Sequence, residues 1–130
     1  MKGYTWIFLV VLGLLVSACT DSADAMLPGD AEVGKNLFQQ PASAAAPSCS
    51  SCHSIEPGRT LTGPSLEGVA ERASARVPGM MAEDYLRQSI LEPDAYVVES
   101  FSPGVMYQDF RDVFSDEDID NLVAYLLTLR

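Results

Sequence analysis

Hydrophobic and polar residues follow three different rules along this chain. The first segment, residues 1–18, is almost unbroken apolar sequence from Trp6 to Val16 behind a single base, Lys2. That run is shorter than the roughly 20 residues a membrane span needs, so it reads as the hydrophobic region of an export signal. From residue 30 onward the pattern becomes helical. Val33, Leu37 and Phe38 give "DAEVGKNLFQQ" one apolar side, with Asp30 placed to cap it. Tyr85, Leu86, Ser89 and Ile90 share a face in "MAEDYLRQSILEP", and Pro93 ends that helix. The last element, "SDEDIDNLVAYLLTLR", predicts the clearest helix. Ser115 and Asp118 form a capping box, Ile119, Leu122, Val123, Leu126 and Leu129 form the buried stripe, and Arg130 closes the final turn.

Between these helices the periodicity fails. "PASAAAPS", Pro41 to Ser48, reads as a low-complexity insert whose prolines forbid a continuous helix. "EPGRTLTGPSLEGVA" is dense in Gly and Pro and reads mostly as loop, and "AYVVESFSPGVMYQDF" has strand-like residues but no partner strand. The expected fold class is all-α, with long irregular loops and no internal repeat.

Composition narrows the partners. The 130 residues are 48% hydrophobic with a formal charge of −10. The stretch "VSAC" resembles the lipobox of bacterial lipoproteins, which implies cleavage after residue 18 and lipid on Cys19. Residues 19–29 would then be a polar tether and residues 30–130 the folded domain. Losing Lys2 takes the formal charge to −11. Nucleic acid is excluded as a partner, since phosphate binding wants Lys and Arg. A protein with a basic docking surface fits, and an anionic membrane surface does not. The expected location is the outer, periplasmic or extracellular, face of the cytoplasmic membrane.

The chemistry concentrates in "CSSCHS". Cys49, Cys52 and His53 include the only histidine and two of the three cysteines. A thioredoxin-like dithiol would need a strand before it and a βαβ sheet around it. A zinc site would need about four ligands, and only three are at hand. A disulfide would leave His53 a bystander. The remaining reading is covalent haem attachment: the two thiols reach two vinyl groups from one helical turn, and His53 then gives Nε2 to iron. Export suits this chemistry, which takes place outside the cytoplasm.

With these residues in hand, the domain resembles the small class I monohaem cytochromes c. "GKNLF" looks like their first helix, "TGPSLEGV" like the loop crossing the proximal side of the haem, and "DIDNLVAYLLTL" like their last helix. The resemblance implies helices wrapped around one haem c. It also implies that the Pro64 carbonyl accepts a hydrogen bond from His53, the alternative being that Gly63 and Pro64 only make a turn. By the same resemblance Met106, in the loop loosened by Pro103 and Gly104, is the sixth ligand. Met80, Met81 or an open iron are its rivals, and Met26 lies in the tether. Tyr107 stands where the family usually has proline after the methionine, and no tryptophan remains to meet a propionate.

The implied function is electron transfer by a membrane-tethered carrier, or by a non-catalytic subunit of a quinol-oxidising or terminal-oxidase complex in a respiratory or photosynthetic chain. The alternatives are a peroxidase-like enzyme and a structural or sensory haem module. Catalysis would need a vacant face and a distal acid or base, for which Arg111 alone is weak support.

Overall fold

The computed structural model describes residues 28–130. The leader, Cys19, Met26 and most of the tether lie outside the described residues. Five α-helices follow in order: α1, Ala31–Gln39; α2, Cys49–Cys52; α3, Val69–Ala73; α4, Ala82–Leu91; and α5, Asp116–Leu126, preceded by a 3₁₀ turn at Phe110–Asp112. No strand occurs among the described residues, so the fold is all-α, as the periodicity predicts.

The frame is the crossing of α1 and α5. Asp30 caps α1, its carboxylate accepting from the Glu32 and Val33 amides. Gly34 faces α5 so closely that a Cβ there would sit 1.9 Å from the Asn121 carbonyl oxygen and 2.9 Å from Tyr125 Cβ. Two backbones approach this closely only where a side chain is missing. One turn on, Phe38 packs against Tyr125 with ring centroids 5.4 Å apart. The buried side-chain amide of Asn121 accepts from the Asp30 amide at 2.6 Å and ties the start of α1 to the same helix. The Ser115–Asp118 capping box forms as expected. An ion pair between Arg87 and Asp120 joins α4 to α5.

Several details correct the sequence reading. Val33 is exposed, and Gly34 with Phe38 makes the buried side of α1, because the partner approaches between them. The last helix ends at Leu126. Leu129 is only half-buried, and Arg130 stands outside the helix, which has no basic residue in its last turn. The loop after the cysteines contains a short helix, α3. Of the two rival methionines, Met81 is the N-cap position of α4 and 71% exposed, whereas Met80 packs half-buried against the core. The Pro41–Ser48 insert docks rather than dangles. Ala46 is buried, and the Ser43 hydroxyl accepts from the Ala45 and Ala46 amides to hold the turn.

Candidate cofactor site

The helices leave their centre open. A cavity of about 450 Å³ lies between α2, α4, α5 and the loops before and after α4. Its wall is mainly apolar and aromatic, with Phe38, Leu66, Leu86, Ile90, Tyr96 and Phe110 among the contributors. A volume of this size is in the range that encloses a cofactor.

Cys49, Cys52, His53, Pro64 and Met106 all line this cavity, whereas Met80 and Met81 do not. Cys49 and Cys52 begin and end the single turn of α2, and the His53 amide donates to the Cys49 carbonyl at 2.9 Å. Residues three apart on a helical turn project to the same side, so both thiols face one wall. Burial pushes the Cys49 thiol up to about 11, opposed by a backbone hydrogen bond and assisted by the neighbouring Cys52. A thiol that stays protonated at neutral pH lacks the low-pKa thiolate of a redox dithiol. Among the described residues no group of three His, Cys, Asp or Glu side chains is placed to share a metal ion.

His53 is held by the loop after it. Its Nδ1 lies 2.8 Å from the Pro64 carbonyl oxygen. A carbonyl can only accept, so Nδ1 carries the proton and Nε2 keeps its lone pair free for a metal. Burial lowers the imidazole pKa, and the Pro64 carbonyl works against that shift. The ring lies over Gly63: a Cβ there would meet Cε1 at 2.5 Å, Nδ1 at 2.8 Å and Nε2 at 2.9 Å. Two backbone bonds stitch the loop to the motif, from the Gly63 amide to the Cys52 carbonyl and from the Leu66 amide to the Ser54 carbonyl, each 2.8 Å. Gly63 is thus a cradle for the imidazole as well as a turn residue.

Arg72 and Arg76 also border the cavity, a contribution the sequence reading missed. Arg72 donates to the Ser65 carbonyl at 3.0 Å, and among the described residues neither guanidinium has a carboxylate within salt-bridge distance. Half-buried cations beside an apolar cavity suit a ligand with an apolar body and anionic edges.

The site therefore fits a haem attached through two thioethers. It offers paired thiols on one turn, a neutral imidazole with a free Nε2, a cradle that admits no larger residue under the ring, and an apolar enclosure. The CSSCH sequence forms a haem c attachment motif.

Comparison with known proteins agrees. Residues 31–130 match the cytochrome c family. Cytochrome c of Euglena viridis is 32% identical over 78% of this chain and 99% of its own length. Cytochrome c2 of Rhodoblastus acidophilus is 30% identical over 75% of this chain and 91% of its own. A cytochrome c-type protein, cyt cy, of Rhodobacter capsulatus is 30% identical over 81% of this chain and 52% of its own. The chain belongs to the class I monohaem cytochrome c family, whose members carry electrons on a covalently bound haem.

Proposed function

We propose that this domain carries single electrons at the outer face of a membrane, held there by lipid on Cys19. In this reading Cys49 and Cys52 would hold one haem c through thioethers, His53 and Met106 would ligate its iron, and Arg72 and Arg76 would pair with its propionates. When bound, the haem would supply a one-electron couple. The protein's own parts do the rest. The Pro64 carbonyl holds the Nδ1 proton and strengthens donation from Nε2. The apolar wall excludes water and, with a neutral thioether, favours the ferrous state. The observation that carries this reading is the placing of Met106 and the Cys49–Cys52–His53 motif on the walls of one apolar cavity.

The tether and the charge suggest how the carrier meets its partner. Gly29 is ten residue steps from Cys19, so a lipid-bound domain stays within roughly 35 Å of the anchor and at high effective concentration beside a membrane oxidoreductase. Nine of the eighteen acidic residues lie between Glu92 and Asp120, the stretch that contains Met106. A redox partner with a basic docking surface would be steered to that stretch. A dedicated subunit of a quinol-oxidising or terminal-oxidase complex follows the same logic without an encounter step.

The test is a redox and ligand-binding study of the haem-loaded, membrane-extracted protein. It should titrate as a single one-electron couple, bind carbon monoxide slowly in the ferrous state, and show no peroxide turnover. Fast ligand binding with peroxide turnover would replace the carrier with an enzyme. Purification in mild detergent distinguishes the shuttle, recovered alone, from the fixed subunit, recovered in stoichiometric company.

A further inference from the structure

The loop that presents Met106 is nearly without backbone support. Apart from a turn at Pro103–Gly104, residues 102–108 make no backbone–backbone hydrogen bond of good geometry among the described residues. Met106 and Tyr107 pack against the core, Tyr107 edge-on to Phe110 at 5.0 Å, and the polar contacts that fix the rest converge on Asp94. Its carboxylate accepts from the Gly104 amide at 2.9 and 3.1 Å. Gln108 completes the arrangement. Its Nε2 donates to the Met106 carbonyl at 2.8 Å and reaches the same carboxylate at 3.5 Å.

Asp94 is well placed to be the fixed end of this latch. It lies three residues beyond the end of α4, directly after the buried Pro93. Tyr96, just beyond it, packs edge-on against the buried Tyr85 of α4 at 5.7 Å. The other side of the loop is strained. Ser100 sits at φ 73°, a left-handed conformation costly for a residue with a Cβ, and Gly104 at φ 73° is one of the residues that can adopt it freely. A strained loop with no ladder stays in one shape only if something outside it fixes its ends.

Resting on the reading of Met106 as the sixth ligand, we infer that Asp94 is a positioning residue: its carboxylate closes the residue 94–104 loop and keeps the Met106 sulfur aimed into the cavity. The loop on the ligand's N-terminal side is gripped through Gly104, and its C-terminal side through Gln108. Without the carboxylate, the loop samples conformations in which the sulfur leaves the iron.

The test uses the haem-loaded protein and its Asp94→Ala, Asp94→Asn and Glu99→Ala variants. Glu99 removes the same charge from the same loop but takes part in no side-chain hydrogen bond or ion pair among the described residues. Cyanide is the probe, since it binds ferric iron only when the sixth ligand steps away. The binding rate should rise about threefold to tenfold in Asp94→Ala, the scale of losing a solvent-exposed hydrogen bond to a carboxylate. Asp94→Asn, which keeps one acceptor oxygen, should recover most of the original rate, and Glu99→Ala should match the parent. Exchange of the Gly104 amide should quicken in Asp94→Ala alone. A cyanide rate in Asp94→Ala within twofold of the parent overturns the latch, as does equal acceleration by Glu99→Ala. Met106→Ala separates the two layers of the argument. If it leaves the sulfur-to-iron absorption intact, the ligand assignment fails, and Gly104 exchange still decides whether Asp94 holds the loop.

Discussion

Replacing Gly63 with alanine adds one methyl group beneath the His53 imidazole, the proposed iron ligand. Gly63 is not among the glycines with positive φ, so alanine meets no backbone strain there. The effect must come from contact. The new Cβ would lie 2.5 Å from His53 Cε1, about 1 Å inside a normal carbon–carbon separation. The ring has to move by nearly that amount, and its 2.8 Å bond to the Pro64 carbonyl lengthens beyond hydrogen-bond range. Forced displacement in a packed site costs about 1–3 kcal/mol, and the lost hydrogen bond about 0.5–1.5 kcal/mol. Reduced freedom of the unfolded chain returns roughly 0.4–1 kcal/mol. The net destabilisation expected is about 0.5–4 kcal/mol, read by denaturant unfolding of the haem-loaded protein. The reduction potential should rise at the same time, because an imidazole without its acceptor donates less to ferric iron. Gly58→Ala is the control. Gly58 has φ +68° and open space around it, so alanine there should cost stability through strain and leave the potential unchanged. A Gly63→Ala protein with parental stability and potential would refute the cradle.

Further outcomes follow from the same geometry. Valine at Gly34 would drive a branched side chain into the Asn121 carbonyl and should cost more than about 3 kcal/mol by parting α1 from α5, measured by thermal unfolding. Mass spectrometry of the exported protein should find residues 1–18 removed and lipid on Cys19; a chain still starting at Met1 would make the leader the anchor. Electron transfer to a soluble partner should slow as salt is raised, since charges are screened over about 8 Å at physiological ionic strength. A salt-independent rate would point to apolar docking or a permanent complex.

Much of the architecture was legible because its signals are local. The Ser115–Asp118 box and the spacing of Ile119, Leu122 and Val123 specify α5 within one stretch of chain. So do Tyr85, Leu86 and Ile90 for α4. The thiol pair and its histidine announce their chemistry by spacing alone. What escaped depends on partners distant in sequence. The burial of Gly34 rather than Val33 is set by α5, almost ninety residues later, and a period-based reading ranks valine above glycine. Ala46 lies in a stretch whose composition resembles a linker, yet a buried alanine carries no pattern of its own. Arg72 and Arg76 read as ordinary solvent-facing charges until the cavity beside them is seen. Asp94 gave no motif, because its partners, Gly104 and Gln108, are joined to it only by the fold.

One spectrum decides which side chain is the second iron ligand beside His53. The ferric protein with covalently bound haem, recorded in the far red, should show the weak sulfur-to-iron charge-transfer absorption of His/Met ligation. Met106→Ala should abolish that absorption and lower the reduction potential, since water or another donor replaces a thioether that favours ferrous iron. Met80→Ala and Met81→Ala, whose side chains stand away from the cavity wall, should keep it. An absorption that survives in Met106→Ala and disappears with Met80 or Met81 would contradict the assignment.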